Sequence, residues 1–381
     1  MLRAPGMPLI LVTAVVAFAG FAVLLPVSPL WAVEGGAAEF GSGMTTTILM
    51  ATTVLTQLQV NRWLLRWGWT RTLSLGLLAL GVPAALQAIS PNLWAVLATN
   101  AVRGIGFGII SVCGATAVAL LTPPEARGRG LGLYGLAVSI PQLALMTVAP
   151  LLVDALGLQG TLMLGLLPVA ALLWVTPLGR QIERQTAADR ASSARRAPLL
   201  RVLALMWMPV AALLLVTASG GAMLTFAPQL ASETAVAMTI LMAVTGLAAV
   251  GRWLAGTLSD RFGTKPFIWS LLGIAALGVA AVAAALRSER PAWLIAGAAL
   301  LGLAYGAIQT VTLVRAFVDA GEENRASASV LWNVGFDVGT GVGAMAIGAL
   351  AGGFGFPQAF VVTAVTVGVA AVVVAVRGRT S

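Results

Sequence analysis

The sequence contains no histidine, one cysteine (Cys113) and one lysine (Lys265). Without an imidazole there is no Ser-His or Cys-His pair for nucleophilic catalysis, and a zinc site of His and Cys ligands lacks its donors. A lone cysteine excludes a disulfide within the chain. Lys265 is followed by proline, so no Gly-x-x-x-x-Gly-Lys-Ser/Thr loop for ATP phosphates is present. No metal, no cofactor and no enzymatic activity are expected. Charge is also scarce: 9% of the 381 residues are charged against 59% hydrophobic, with a mean hydropathy of +0.97. Such a chain cannot offer water a polar surface of ordinary size and reads as an integral membrane protein. Its excess of 22 Lys+Arg over 13 Asp+Glu does not point to nucleic acid, because the basic residues fall in short loops between apolar runs.

A helix crossing about 30 Å of hydrocarbon needs roughly 20 residues. Twelve runs qualify: 8–31, 41–60, 72–90, 93–121, 130–152, 161–178, 202–230, 235–258, 267–286, 292–314, 326–351 and 356–376. The first is long for a secretory signal, and its removal would leave an odd number of spans. Threading the chain through these runs places Arg3, Arg62, Arg66, Arg71, Arg127, Arg129, the six arginines from Arg180 to Arg201, Arg252, Arg261, Lys265, Arg315, Arg325, Arg377 and Arg379 on one side. The other side holds only Arg287 and Arg290 among basic loop residues. The basic side is the expected cytoplasmic one, so both termini are expected in the cytoplasm of a multi-pass protein in the cell membrane. Residues 179–200 include the polar, basic stretch GRQIERQTAADRASSARRAP, expected to link an N-terminal bundle (1–178) to a C-terminal one (201–381) along the cytoplasmic face.

The two halves share a frame. The stretch GTLSDRFGTK, Gly256 to Lys265, reads as a polar turn between two apolar runs; shifted by 195 positions it overlies NRWLLRWGWTR, with Arg66 under Arg261 and Gly68 under Gly263. At a shift of 198, LGLAYGAI matches RGIGFGII, pairing Gly104 with Gly302, Phe107 with Tyr305 and Gly108 with Gly306. The same shift pairs Tyr134 with Trp332. An all-α protein of twelve spans in two pseudo-symmetric six-helix bundles is therefore expected. Glycines four apart, Gly335, Gly339 and Gly343, Gly104 and Gly108, Gly128 and Gly132, Gly302 and Gly306, share helix faces and predict close helix crossings.

The pattern Gly-x-Leu-x-Asp-Arg-x-Gly-x-Lys, carried by Gly256, Leu258, Asp260, Arg261, Gly263 and Lys265, resembles the signature loop of the major facilitator superfamily. The first-half copy keeps Arg66 and Gly68 but has Leu65 in place of the acid. The resemblance implies the major facilitator fold, a monomer, a small-molecule substrate held between the halves, and alternating access by rocking of one half against the other. It further implies a gating role for the loop, with Asp260 and Arg261 pairing with cytoplasmic charges such as Arg252 or the Arg325 end of the eleventh helix; a plain stop-transfer role is the alternative. Arg103-Gly-x-Gly-x-Gly in the fourth run resembles a motif linked in that family to proton coupling. The short chain, its near-minimal loops and the run RASASVLWNVGFDVGTGVG most resemble bacterial drug-efflux-like members. Gly135 and Pro141 in YGLAVSIPQ only partly match the exporters' Gly-Pro pair, since Ile140 stands where the glycine would be.

Two charges lie deep in the runs. Arg103 is twelve residues after Pro91 and Asp337 twelve after Arg325, each about 18 Å from its end of the membrane. Exposing either to lipid would cost roughly 2.5–3.5 kcal/mol, so each should face the bundle interior or water. Arg103 stays cationic and is expected to tune a nearby acid or hold an anionic group. Asp337 is the candidate proton carrier, with Asn333 four residues back on its face; a permanently ionised aspartate locked to an arginine is the alternative. Gln309, Gln142, Thr217 and Thr225 are candidates to line a cavity, and Trp332 and Tyr305 offer flat faces to a ligand. Packing between helices is the competing role for all six. The function expected is secondary active transport with protons as the coupling ion, by efflux, or alternatively by uptake of a small metabolite.

Overall fold

A computed structural model describes residues 6–123, 127–189, 198–262, 264–288 and 290–380. All regular structure among them is helical: α1 (Met7–Glu34), α2 (Glu39–Gln57), α3 (Val60–Gln87), α4 (Leu93–Leu121), α5 (Arg127–Met163), the short α6 (Leu167–Ala170), α7 (Leu172–Asp189), α8 (Leu199–Leu205), α9 (Trp207–Leu230), α10 (Thr234–Phe262), α11 (Lys265–Ser288), α12 (Pro291–Ala320), α13 (Arg325–Phe354) and α14 (Phe356–Thr380). Among the described residues, ten helical stretches are long and apolar enough to cross a membrane. One of them, Arg129–Gln185, is broken at Gly157 and makes two spans. The twelfth span is α2, which carries six threonines and a serine and so falls short of the others in hydropathy. Its hydroxyls remain compatible with an apolar setting because they bond back to their own helix: Thr47 donates to the Gly43 carbonyl, Thr52 to Ile48 and Thr53 to Leu49.

Two breaks reset the chain direction at a single residue. Gly157 (φ 72°, ψ 169°) interrupts α5, and Gly355 (φ 84°, ψ 158°) alone separates α13 from α14. This backbone region is open essentially to glycine only. The third run starts earlier than expected, at Val60, and is broken in the same way at Gly68. The connecting stretch from 179 begins as helix, since α7 runs on to Asp189; residues 190–197 lie outside those described.

The chain divides into one unit of residues 1–36 and 48–194 and another of 37–47 and 195–381, so the first turns of α2 group with the second. In the first unit α1 packs on α5, and α3 on α4. Every residue of α1 from Ala17 to Pro29 is buried, as befits a helix that is apolar all round. In the second, α12 packs between α10 and α11, α13 lies on α9, and α14 on α11. Val362, Val365, Val369, Val372 and Val376 of α14 are exposed, an apolar face suited to lipid and not to water.

The repeat is visible in the crossings. In α4, Gly104 lies against Leu49 and Thr52 of α2, and Gly108 against Thr53 and Thr56; in α12, Gly302 lies against Val244 of α10, and Gly306 against Ala248. The partners Leu49 and Val244, and Thr53 and Ala248, are themselves 195 positions apart. Likewise the Tyr134 hydroxyl rests on Gly114, while Trp332 donates through Nε1 to Thr312 Oγ1 at 3.1 Å, both members shifted by 198. Gly339 and Gly343 meet Leu214 and Ala218 of α9. Gly132 departs from expectation, because among the described residues no atom outside its own helix lies within 4 Å of where a Cβ would stand; the surroundings of Gly128 lie outside what is described.

Candidate functional site

The polar side chains of the second unit gather along α12, which packs on α10 and also meets α9 and α13. Gln309 of α12 is buried; its Nε2 donates to the Tyr305 carbonyl at 2.9 Å, and its Oε1 accepts from Arg252 Nη2 of α10 at 2.7 Å. The Tyr305 ring lies on Gly220 of α9, where a Cβ would collide with it, and meets Phe336 at a centroid distance of 6.1 Å. Phe336 in turn stacks on Trp332 at 6.0 Å. Asp337, next to Phe336, is 4% exposed, and Tyr305 lies within electrostatic reach of both Arg252 and Asp337. Asp337 is thus turned into protein, away from the lipid side, as the cost of exposing a charge to hydrocarbon requires. Asn333 is exposed and donates to the Ser329 carbonyl.

The two threonine candidates lie on α9. Thr217 is buried beneath Gly339 and donates to the Leu214 carbonyl at 3.2 Å. Thr225 donates to the Gly221 carbonyl at 2.8 Å and shares a hydrogen bond with Thr46 at 3.1 Å. Gln142, after Pro141 of α5, is half-buried.

Arg252, expected among the charges of the cytoplasmic face, is not at a helix end: α10 continues ten residues past it, and its guanidinium reaches Gln309. The available signal was its position six residues inside an apolar run. For the same reason GTLSDRFGTK is not a turn throughout: Gly256 to Phe262 belong to α10, and no atom crowds the Cβ position of Gly256. Gly263 and the side chains of Asp260, Arg261 and Lys265 lie outside the described residues.

In the first unit Arg103 is 1% exposed, and its Nη1 donates to Asn100 Oδ1 at 2.7 Å and to Ser28 Oγ of α1 at 3.3 Å. Arg315 pairs with Asp319 and Arg325 with Glu322, and neither pair involves Arg103. The first-half copy of the loop has an acid after all, from a distant part of the sequence. Glu183 Oε1 of α7 accepts the Trp69 backbone N–H at 3.0 Å, just beyond Gly68, whose φ of 78° leaves that N–H to start the next helical segment. Arg66 is exposed. Glu183 was not singled out because nothing in the order of residues ties position 183 to position 69.

Comparison with known proteins agrees with this architecture. Among solved structures, a bacterial homologue of the human lysosomal transporter Spinster in an inward-facing, unoccupied conformation matches at 16% identity, covering 98% of this chain and 96% of that one with a TM-score of 0.76. The nucleoside transporter NupG matches at 12% identity over 97% and 99% of the two chains with a TM-score of 0.73. A D-xylose-proton symporter matches at 15% over 97% and 96%, with a TM-score of 0.69. These identities speak for the fold alone. No curated protein matches the sequence. The family model of the Major Facilitator Superfamily matches residues 10–329, the greater part of the chain. The chain is therefore a multi-pass membrane transporter, not an enzyme, and belongs to the major facilitator superfamily.

Proposed function

We propose that this transporter exports a small organic molecule in exchange for protons, by alternating access, with both termini in the cytoplasm. The observation that carries the reading is Asp337: a carboxyl 4% exposed, twelve residues into a membrane-spanning helix and next to Phe336, whose ring meets Tyr305. A carboxyl there is tolerated neutral, and tolerated ionised only while polar neighbours or water reach it. Changing water access between the two sides would let it load a proton on one and release it on the other. Arg252, held by Gln309, supplies positive potential to the same cluster without itself giving up a proton. Export is favoured by the resemblance of the run around Asp337 to efflux-like members; the D-xylose-proton symporter among the fold neighbours makes proton-coupled uptake the competing direction.

The test is a growth-inhibition panel of cationic, neutral and anionic toxic compounds, run on deletion and overexpression strains. An exporter protects on overexpression. An importer sensitises and lets a labelled compound accumulate. Asp337→Asn, at equal membrane abundance, should abolish protection driven by a pH gradient. Full protection by that variant would end the assignment of Asp337 as carrier.

A further inference from the structure

Arg103 and its surroundings make a site of unmatched donors. Its Nη1 is occupied by Asn100 and Ser28, which fix the plane of the guanidinium, while Nε is buried with no partner. The Asn100 amide has spent its oxygen on Arg103, and its Nδ2 is buried without an acceptor. A third donor stands close by in level. Gly106 of α4 lies against Leu80 of α3, and the two helices run antiparallel, so seven residues on from Leu80 and seven back from Gly106 brings Gln87 level with Thr99, beside Asn100. Gln87 is fully buried, and neither atom of its side-chain amide has a partner. Ser28 lies one turn from that level, as Arg103 does, because Trp31, one turn further along α1, donates through Nε1 to the Gln87 carbonyl.

Buried amides and guanidinium groups almost always find partners, and one left unmatched is costly. Here the orphans are an N–H of a permanently charged guanidinium and two amide NH₂ groups, with one amide oxygen among them. No ion pair to a carboxylate compensates Arg103 among the described residues. The ligand that complements such a set accepts hydrogen bonds and carries negative charge. The free edge of a guanidinium suits an oxyanion in particular.

We propose that Arg103, Asn100 and Gln87 bind a small monovalent anion, either an inorganic ion or the carboxylate of the transported molecule. In the second case the site deepens the exporter reading and rests on it; in the first it stands independently. Neither case requires Asp337 to carry protons.

The experiment measures thermal unfolding of the purified full-length protein in nanodiscs, by tryptophan fluorescence, in zwitterionic buffer titrated with sodium chloride or sodium acetate. Wild type should show a saturating rise in midpoint. Arg103→Gln removes the charge but endangers folding, so the decisive variant is Asn100→Asp, which puts a carboxylate where the guanidinium already finds an oxygen at 2.7 Å. This internal counter-ion should weaken the apparent anion affinity by about tenfold or more, and the difference from wild type removes the general effect of ionic strength. A response to both salts identifies an inorganic-anion site; a response to acetate alone identifies a carboxylate site for cargo. If neither salt shifts wild type, or if Asn100→Asp responds as wild type does, the proposal is overturned. Asp337→Asn should keep the anion response, which separates failure of this site from failure of proton coupling.

Discussion

Replacing Gln309 by leucine should damage the protein mainly through what it does to Arg252. Leucine has similar bulk but offers no acceptor, so Arg252 Nη2 loses a partner at 2.7 Å, and the link to the Tyr305 carbonyl at 2.9 Å is lost with it. A hydrogen bond to a charged group contributes about 1.5–3 kcal/mol, and the bond to Tyr305 adds about 0.5–1 kcal/mol. Gln309→Leu should therefore destabilise by about 2–4 kcal/mol. With Arg252 already changed to methionine, the bond from the guanidinium is absent from the start, and the same substitution should cost only about 1 kcal/mol. The coupling expected from the double-mutant cycle is about 2 kcal/mol, read from unfolding of the purified protein by dodecyl sulfate titration in mixed micelles. If Gln309→Leu costs the same in both backgrounds to within about 0.5 kcal/mol, the two side chains are not coupled and the cluster has been misread.

Three further expectations concern packing and helix ends. Gly306→Ala drives a methyl into the Ala248 backbone, whereas Gly132→Ala meets open space. The first should lose about 1–3 kcal/mol to overpacking, and the second should gain up to about 1 kcal/mol of helix propensity, so their thermal half-lives in detergent should move in opposite directions. Glu183→Ala removes the acceptor at the Trp69 N–H and should cost about 1 kcal/mol. Gly68→Ala adds backbone strain of about 1–3 kcal/mol and a contact with Glu183 Oε1, so its melting temperature should fall further than that of Glu183→Ala. Trp332→Phe and Thr312→Val each break the one hydrogen bond they share, at about 1 kcal/mol, so the loss in the double variant should fall short of the sum of the single losses by about that amount.

Much of the architecture was legible because a lipid-spanning helix needs only length and apolarity, and both are local properties. The fourth run coincides with α4 at Leu93–Leu121. Even the hydroxyl-rich α2 was found, since threonine in a helix satisfies itself. What escaped was the assignment of charges near helix ends. Arg252 sits inside α10, but a cation close to the end of an apolar run looks the same in sequence whether it leaves for water or turns toward Gln309. The Glu183 cap on Trp69 joins positions 114 apart, and no periodicity encodes such a meeting. The orphaned donors around Arg103 were beyond reach for a related reason: Arg103 itself stands out as a charge in an apolar run, but the company it keeps depends on the register between α3 and α4.

The one-residue joints at Gly157 and Gly355 restrict how the flanking helices can move. A single residue spans at most about 3.6 Å, less than the about 5.4 Å advance of one helical turn. The end of α13 and the start of α14 therefore cannot ratchet past each other by a turn, and neither can the two segments of α5. Such tethered neighbours can open and close like the covers of a book, pivoting at the spine, while axial slippage is denied to them.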